Sequence, residues 1–308
     1  MLWHYGQPYA DFSCVPTWHV ARAARRKVTV AVTGDGADEL YAGYLSTRSL
    51  DLADRLRRGL PGPLLKAAAG AAAPWRRRRR GDRLRRAGLL AAMAAAEPAA
   101  ACAILHDRPP LGARPRDAAR APDWVSRWFD AAPERPVFQR SLLCDLRGRL
   151  ADNFLVKVDV AAMAHSLETR TPFLETGLFA DAAAWPRRVL LRRGTTKAVL
   201  KALAEDYLPR DLLYRPKRGF TPPMGEWLAG PRYAPVVEWA LSSDGPAGPW
   251  LDPAAARATW DQQRRGRQEQ QSALFAALAF SLWWELFVTR RLDPATPLSG
   301  VREAVGAP

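Results

Sequence analysis

The chain has 308 residues, 48% of them hydrophobic and 25% charged, which is enough apolar material for a folded domain with a substantial core. Its net charge of +15 rests mainly on arginine, alongside abundant alanine and proline; this matches the residue usage of a GC-rich genome and no nucleic-acid module. Three distant cysteines and four histidines, without CxxC, HxxxH or HExxH spacing, argue against a disulfide framework and against nitrogen- or sulfur-ligated metal.

In chain order, residues 3–11 mix aromatic, polar and charged types and carry no apolar leader. Thr17–Arg26 predicts a helix started by Pro16. Val28–Val32 is a compact β-branched run ending at glycines, predicting a strand buried on both faces of a parallel sheet. From Leu45 to Leu150 an Ala/Arg/Leu-rich tract with spaced prolines predicts several helices joined by short loops. Its Arg76–Arg80 cluster, with Arg83, Arg85 and Arg86, reads as a solvated basic face, so no nucleic-acid partner is expected. Arg140–Glu168 predicts a second helical tract, broken near Asp152-Asn153, and Arg188–Leu191 a second strand. Thr195–Glu205 predicts a helix, and Arg215–Pro223 a basic Gly/Pro loop of the kind that binds ligands. Ala254–Arg290 predicts one or two long helices, and the tail after Pro294 a loose end. The longest apolar stretch, Ala273–Trp284, is shorter than the about 20 residues that cross a bilayer. The expectation is a cytoplasmic protein with no membrane segment.

Three segments carry chemistry. Thr33-Gly34-Asp35-Gly36-Ala37-Asp38-Glu39 follows the strand. Glycines there let backbone approach a ligand, and a following helix would offer N–H groups to an anion. Three crowded carboxylates repel unless they share a cation, as at a magnesium–triphosphate site. The second segment runs from Asp152 to Glu175 and sets Lys157, Asp159, Glu168 and Arg170 among apolar residues. Charges in such surroundings are costly unless paired, so this segment is a candidate pocket wall, with His165 read as a structural histidine. In the third, Lys197 sits in the first turn of a helix, where the dipole disfavours a cation; reaching a phosphate explains it.

These blocks, TGDGADELYAGY, VKVDVAAMAHSLETRTPFLE, TKAVLK and RPKRGFTPPMGEWL, resemble the synthetase domain of the glutamine-dependent asparagine synthetase family. The resemblance spans nearly the whole chain and is loosest between Ser46 and Arg140. It implies an α/β fold, with part of a doubly wound ATP-pyrophosphatase sheet and a large, mostly helical C-terminal part. It divides residues 1–308 into a remnant of the nucleotide-binding sheet (1–44), variable helices (45–150), a helical half with substrate and ATP motifs (151–290) and a loose tail (291–308). The implied reaction is ATP-dependent conversion of aspartate and ammonia to asparagine through an aspartyl-adenylate, with ATP and Mg2+ required. By motif position, Thr33, Gly34, Asp35, Gly36, Asp38 and Lys197 bind the nucleotide. Asp35 and Lys197 are catalytic, Asp38 meets the metal, and Asp159, Glu168, Arg170 and Lys217 contact substrate.

The chain also departs from that pattern. Leu2 stands where the family's glutaminase has its nucleophilic cysteine, and no SGGxDS phosphate loop occurs in the sequence. A separate polypeptide is therefore expected to supply the glutaminase domain and that loop. Asp35 is one methylene shorter than the family glutamate, a difference of about an ångström in reach. The alternatives are an amide-forming synthetase for another carboxylate and a non-catalytic fragment.

Overall fold

The computed structural model describes residues 1–77, 83–106, 124–215, 222–266 and 270–306. They form a mostly helical α/β structure with one small parallel sheet. The first strand, β1, is Val30–Val32, and it pairs with β2, Glu168–Arg170, in the register Val30 with Glu168, Ala31 with Thr169 and Val32 with Arg170. The helical tract expected to reach Glu168 stops at Met163, and Glu168 opens a strand instead. Only Thr169 of the three is β-branched, and pairing with β1 overrides the weak local preference.

β1 is not buried on both faces. Ala31 packs onto a small cluster of Ala21, Ala24, Ala162 and Leu167, carried in part by the helices Cys14–Arg25 and Leu155–Met163. Val30 and Val32 point the other way and are 46% and 73% exposed. Alternate residues of a strand face opposite sides, and among the described residues helices cover only one of them. The second predicted strand is also corrected. Pro186 caps a single helical turn, Arg187–Leu190, followed by a tight antiparallel bridge between Arg192 and Thr195. Gly194, at φ +80°, makes that turn possible.

The helices Leu45–Gly59, Gly62–Ala71, Arg83–Ala95, Pro98–His106, Trp124–Phe129 and Val137–Cys144 surround a core of Leu50, Leu65, Met93, Phe129 and Cys144. The last of them runs on without a break through a π-helical stretch, Asp145–Phe154, into Leu155–Met163. The interruption expected at Asp152-Asn153 is absent, because the wider i→i+5 turns absorb the change of register without ending the helix. The basic residues 78–80 lie outside the described residues.

A second core joins the N-terminal residues Tyr5, Tyr9, Phe12 and Cys14 to the helices Met224–Ala229, Ala234–Leu241, Pro253–Arg264 and Gln271–Trp283. The helix from Gln271 continues to Val288, 18 residues, so it is longer than the apolar stretch expected from the sequence and, by length and composition alone, long and apolar enough to cross a membrane. Half of it is buried in the protein, with Leu274, Phe275, Leu278 and Leu282 inside the core. Its buried Glu285 is neutralised by Arg291 at 2.7 Å. The tail is not loose: Val301 and Val305, one helical turn apart, insert into the same core.

Candidate functional site

The first and third motifs meet where β1 ends. The Thr33 amide donates to the Arg170 carbonyl at 2.8 Å, closing the sheet, and the chain then turns through Gly34 to Gly36. Gly36 is buried at φ +89°, and a Cβ there would lie 2.3 Å from Leu174, so no other residue fits without displacing that side chain. The helix that follows, Ala37–Leu40, is a single turn. Its dipole is correspondingly slight, and the anion-binding helix terminus expected from the sequence is not formed. Thr33 Oγ1 donates to Asp35 Oδ2 at 2.8 Å, which orients the half-buried Asp35.

Lys197 approaches from the other side. Its Nζ lies 2.8 Å from Asp38 Oδ1, with the two side chains 28% and 23% exposed. Two backbone hydrogen bonds fix the encounter: the Lys197 amide donates to the Tyr41 carbonyl at 3.1 Å, and the Gly43 amide to the Asp38 carbonyl at 2.7 Å. Lys197 is not in the first turn of its helix. It is the N-cap of Ala198–Ala204, in the left-handed region at φ +52°, a conformation costing a non-glycine residue about 1 kcal/mol. One turn on, Lys201 is half-buried, and burial, then the charge of Lys197, lowers its ammonium below the usual lysine value.

The three carboxylates of the first motif do not share one site. Glu39 is buried and accepts a hydrogen bond from Tyr44 at 2.5 Å. Burial pushes its carboxyl above the ordinary value, and it also pushes up the Tyr44 phenol. Behind this pair lies Asp145, also buried, which receives Arg149 at 3.1 Å and Thr47 at 3.5 Å. Burial outweighs Arg149 and raises its carboxyl too. Arg149 stacks over the Tyr44 ring at 4.5 Å, linking the two acids. Asp145 was not among the residues expected from the sequence; its only signal there is that it is the single acid in the segment 137–150.

The second motif divides. Lys157 turns away to the N-terminal segment, donating to Ser13 Oγ at 2.8 Å and facing Asp11 at 3.5 Å. Asp159 is exposed on the same helix. Glu168 and Arg170 pair with each other on the open face of β2, level with Val30 and Val32. Lys217 lies outside the described residues. His165 packs edge-on against Trp18 at 4.5 Å, its Nε2 without a hydrogen-bond partner among the described residues. Among the described residues no three acidic, histidine or cysteine side chains gather as metal ligands. The three cysteines are free and buried. A cleft of about 570 Å3 lined by Trp3, Phe287, Arg290 and Arg291 shares no residue with the Asp38–Lys197 site.

Residues 1–285 match a protein-family model described as asparagine synthase. A Mycobacterium tuberculosis protein provisionally named asparagine synthetase (glutamine-hydrolysing) is 34% identical over 96% of this chain and 45% of its own length. Asparagine synthetase (glutamine-hydrolysing) 1 of Bacillus subtilis is 27% identical over 96% of this chain and 46% of its own length. A Methanocaldococcus jannaschii protein with a similar provisional name is 46% identical over 44 residues, covering 14% of this chain and 8% of its own length. The chain thus spans about half the length of the curated relatives that it matches throughout.

Proposed function

The chain belongs to the asparagine synthase family, and from that premise we propose that it carries the adenylate-forming site of an ATP-dependent amide synthetase acting on aspartate. The observation that supports this most strongly is the meeting of Lys197 with Asp38, from distant blocks, at the open end of β1. Elsewhere in the molecule a partly open lysine–aspartate pair adds little to stability. Beside a triphosphate it has a purpose. Lys197 neutralises charge on the phosphates as pyrophosphate leaves, and again as ammonia displaces AMP from the aspartyl-adenylate. Thr33 and Gly34 approach the nucleotide through backbone, with Gly36 shaping the turn. Asp35, oriented by Thr33, is assigned to formation of the adenylate.

Asp38 is the residue that would hold Mg2+. A single carboxylate, 23% exposed and already facing Lys197, fits an ion that keeps several waters and takes its other ligands from substrate phosphates. When bound, it supplies positive charge to the transferring phosphoryl group. By their positions in the family motifs, Asp159, Glu168, Arg170 and Lys217 are assigned to contact with the aspartate substrate. In this reading residues 1–44 are a remnant of a doubly wound, nucleotide-binding sheet, 45–150 are variable helices and 151–290 are a mostly helical half with the substrate and ATP motifs. The relatives' names include glutamine hydrolysis; the glutaminase and the SGGxDS loop are then contributed by polypeptide outside residues 1–308. The whole operates in the cytoplasm.

The test is exchange of labelled pyrophosphate into ATP, by this chain alone and together with a polypeptide carrying the SGGxDS loop. Aspartate-dependent exchange in either preparation supports the assignment. Exchange driven only by another carboxylic acid assigns a different amide. No exchange and no magnesium-ATP binding in both preparations would overturn it.

A further inference from the structure

Asp38 and Lys197 are held together by more than their charges. Both approach Gly43 so closely that a Cβ built there would lie 1.8 Å from Asp38 Oδ1 and 2.4 Å from Lys197 Cε. Gly43 is itself buried, and its amide is bonded to the Asp38 carbonyl. Its φ is not in the left-handed region, so the demand for glycine here is spatial. The two residues before it complete the frame. Tyr41 offers its carbonyl to the Lys197 amide, and Ala42 takes the left-handed conformation at φ +52° that turns the chain toward Gly43. Lys197, too, is left-handed. Two left-handed non-glycine residues thus border a position where any side chain would meet both members of the pair.

We infer that Gly43 is a positioning residue: its missing side chain is the space in which Lys197 and Asp38 meet, and this space sets where the lysine ammonium is presented. The inference rests on the functional reading above for its purpose and on the contacts alone for its geometry. The three nearest atoms, Asp38 Oδ1 and Cγ and Lys197 Cε, all belong to side chains, and the backbone is not among them. A methyl group at residue 43 thus swings Asp38 and Lys197 apart and leaves the surrounding fold in place.

Gly43→Ala tests this through the reactivity of Lys197 with an amine-acylating ester, followed by mass spectrometry of the folded chain. An ammonium engaged with a carboxylate reacts slowly. Gly43→Ala is expected to raise Lys197 acylation by about threefold, the scale of a released, partly exposed ion pair. Asp38→Asn, which frees the lysine without filling the space, gives a similar rise, and acylation of Lys201 changes little. Unchanged Lys197 acylation in Gly43→Ala, with the rise present in Asp38→Asn, overturns the inference. Should Gly43→Ala prove unstable, the same substitution in an Asp38→Ala/Lys197→Ala background decides the matter. There the clashing tips are gone and the melting temperature should match that background; an equal loss of stability in both backgrounds refutes a role through the pair. Acylation needs neither ATP nor aspartate, so failure of the functional reading leaves this result interpretable. Conversely, the expected acylation change without nucleotide binding retains the geometry and removes its purpose.

Discussion

Two lysine–aspartate pairs in this protein make the same kind of contact under different conditions. Lys157 and Asp11 are each 13% exposed, and the lysine has Ser13 as a second partner and the Phe154 ring at 4.6 Å. Asp11 is further bonded by Asn153 at 3.2 Å, while Tyr9 donates to the Asn153 carbonyl at 2.8 Å. That network ties the N-terminal segment to the long helix. Lys197 and Asp38 are about twice as exposed, sit beside a required glycine and start from a strained lysine backbone. The first arrangement saturates its polar groups and relaxes its chain. The second holds a cation at a partly exposed position on a strained backbone, and strain of this kind clusters at functional sites.

The contrast can be broken by substitution. Lys157→Ala should cost about 3 kcal/mol in urea unfolding, because it strands the nearly buried Asp11. A loss below about 1 kcal/mol would show that the Asp11 network tolerates an unpaired charge, and the two pairs would then differ less than their surroundings suggest. Glu39 sharpens the comparison differently, since it lies in the same motif as Asp38 yet faces the core. Burial raises its carboxyl above the ordinary 4.5, so the folded protein holds this proton more tightly than the unfolded chain. Its contribution to stability is fully present below pH 4.5 and is lost as pH rises through the folded value. Glu39→Gln should therefore flatten the decline in melting temperature between pH 4.5 and neutrality; an unchanged pH profile would place the titration elsewhere. The smallest effect is expected at Asp159, which is exposed. Asp159→Asn should alter stability by less than about 0.5 kcal/mol, and a larger change in thermal unfolding would reveal a structural role like that of Lys157.

The meeting of the first and third motifs was legible in part, because its signals were local and chemical. Glycines after a β-branched run marked the turn, and a lysine at an electrostatically unfavourable helix start pointed to Lys197. What could not be read was direction. Lys157 and Asp159 are two residues apart on one helix, but Lys157 reaches the N-terminal segment and Asp159 reaches solvent, a division made by packing against Ser13 and Asp11. β2 was hidden for a similar reason. Glu168-Thr169-Arg170 has only Thr169 to favour a strand, and its pairing partner lies far away in sequence. Likewise the apolar residues Val301 and Val305 were too few to announce a packed tail, and only the core opposite them makes them structural. The exposure of β1 was unforeseen because a run of valines predicts burial from its own composition, whereas burial depends on what lies across the strand.

The most direct measurement compares Lys197→Ala with the parent chain in aspartate-dependent ATP–pyrophosphate exchange and in thermal unfolding, under the conditions in which the parent exchanges. Exchange should fall by about 100-fold or more while stability changes by less than about 1 kcal/mol. Equal loss of exchange and of stability would contradict the account and make Lys197, like Lys157, a structural lysine.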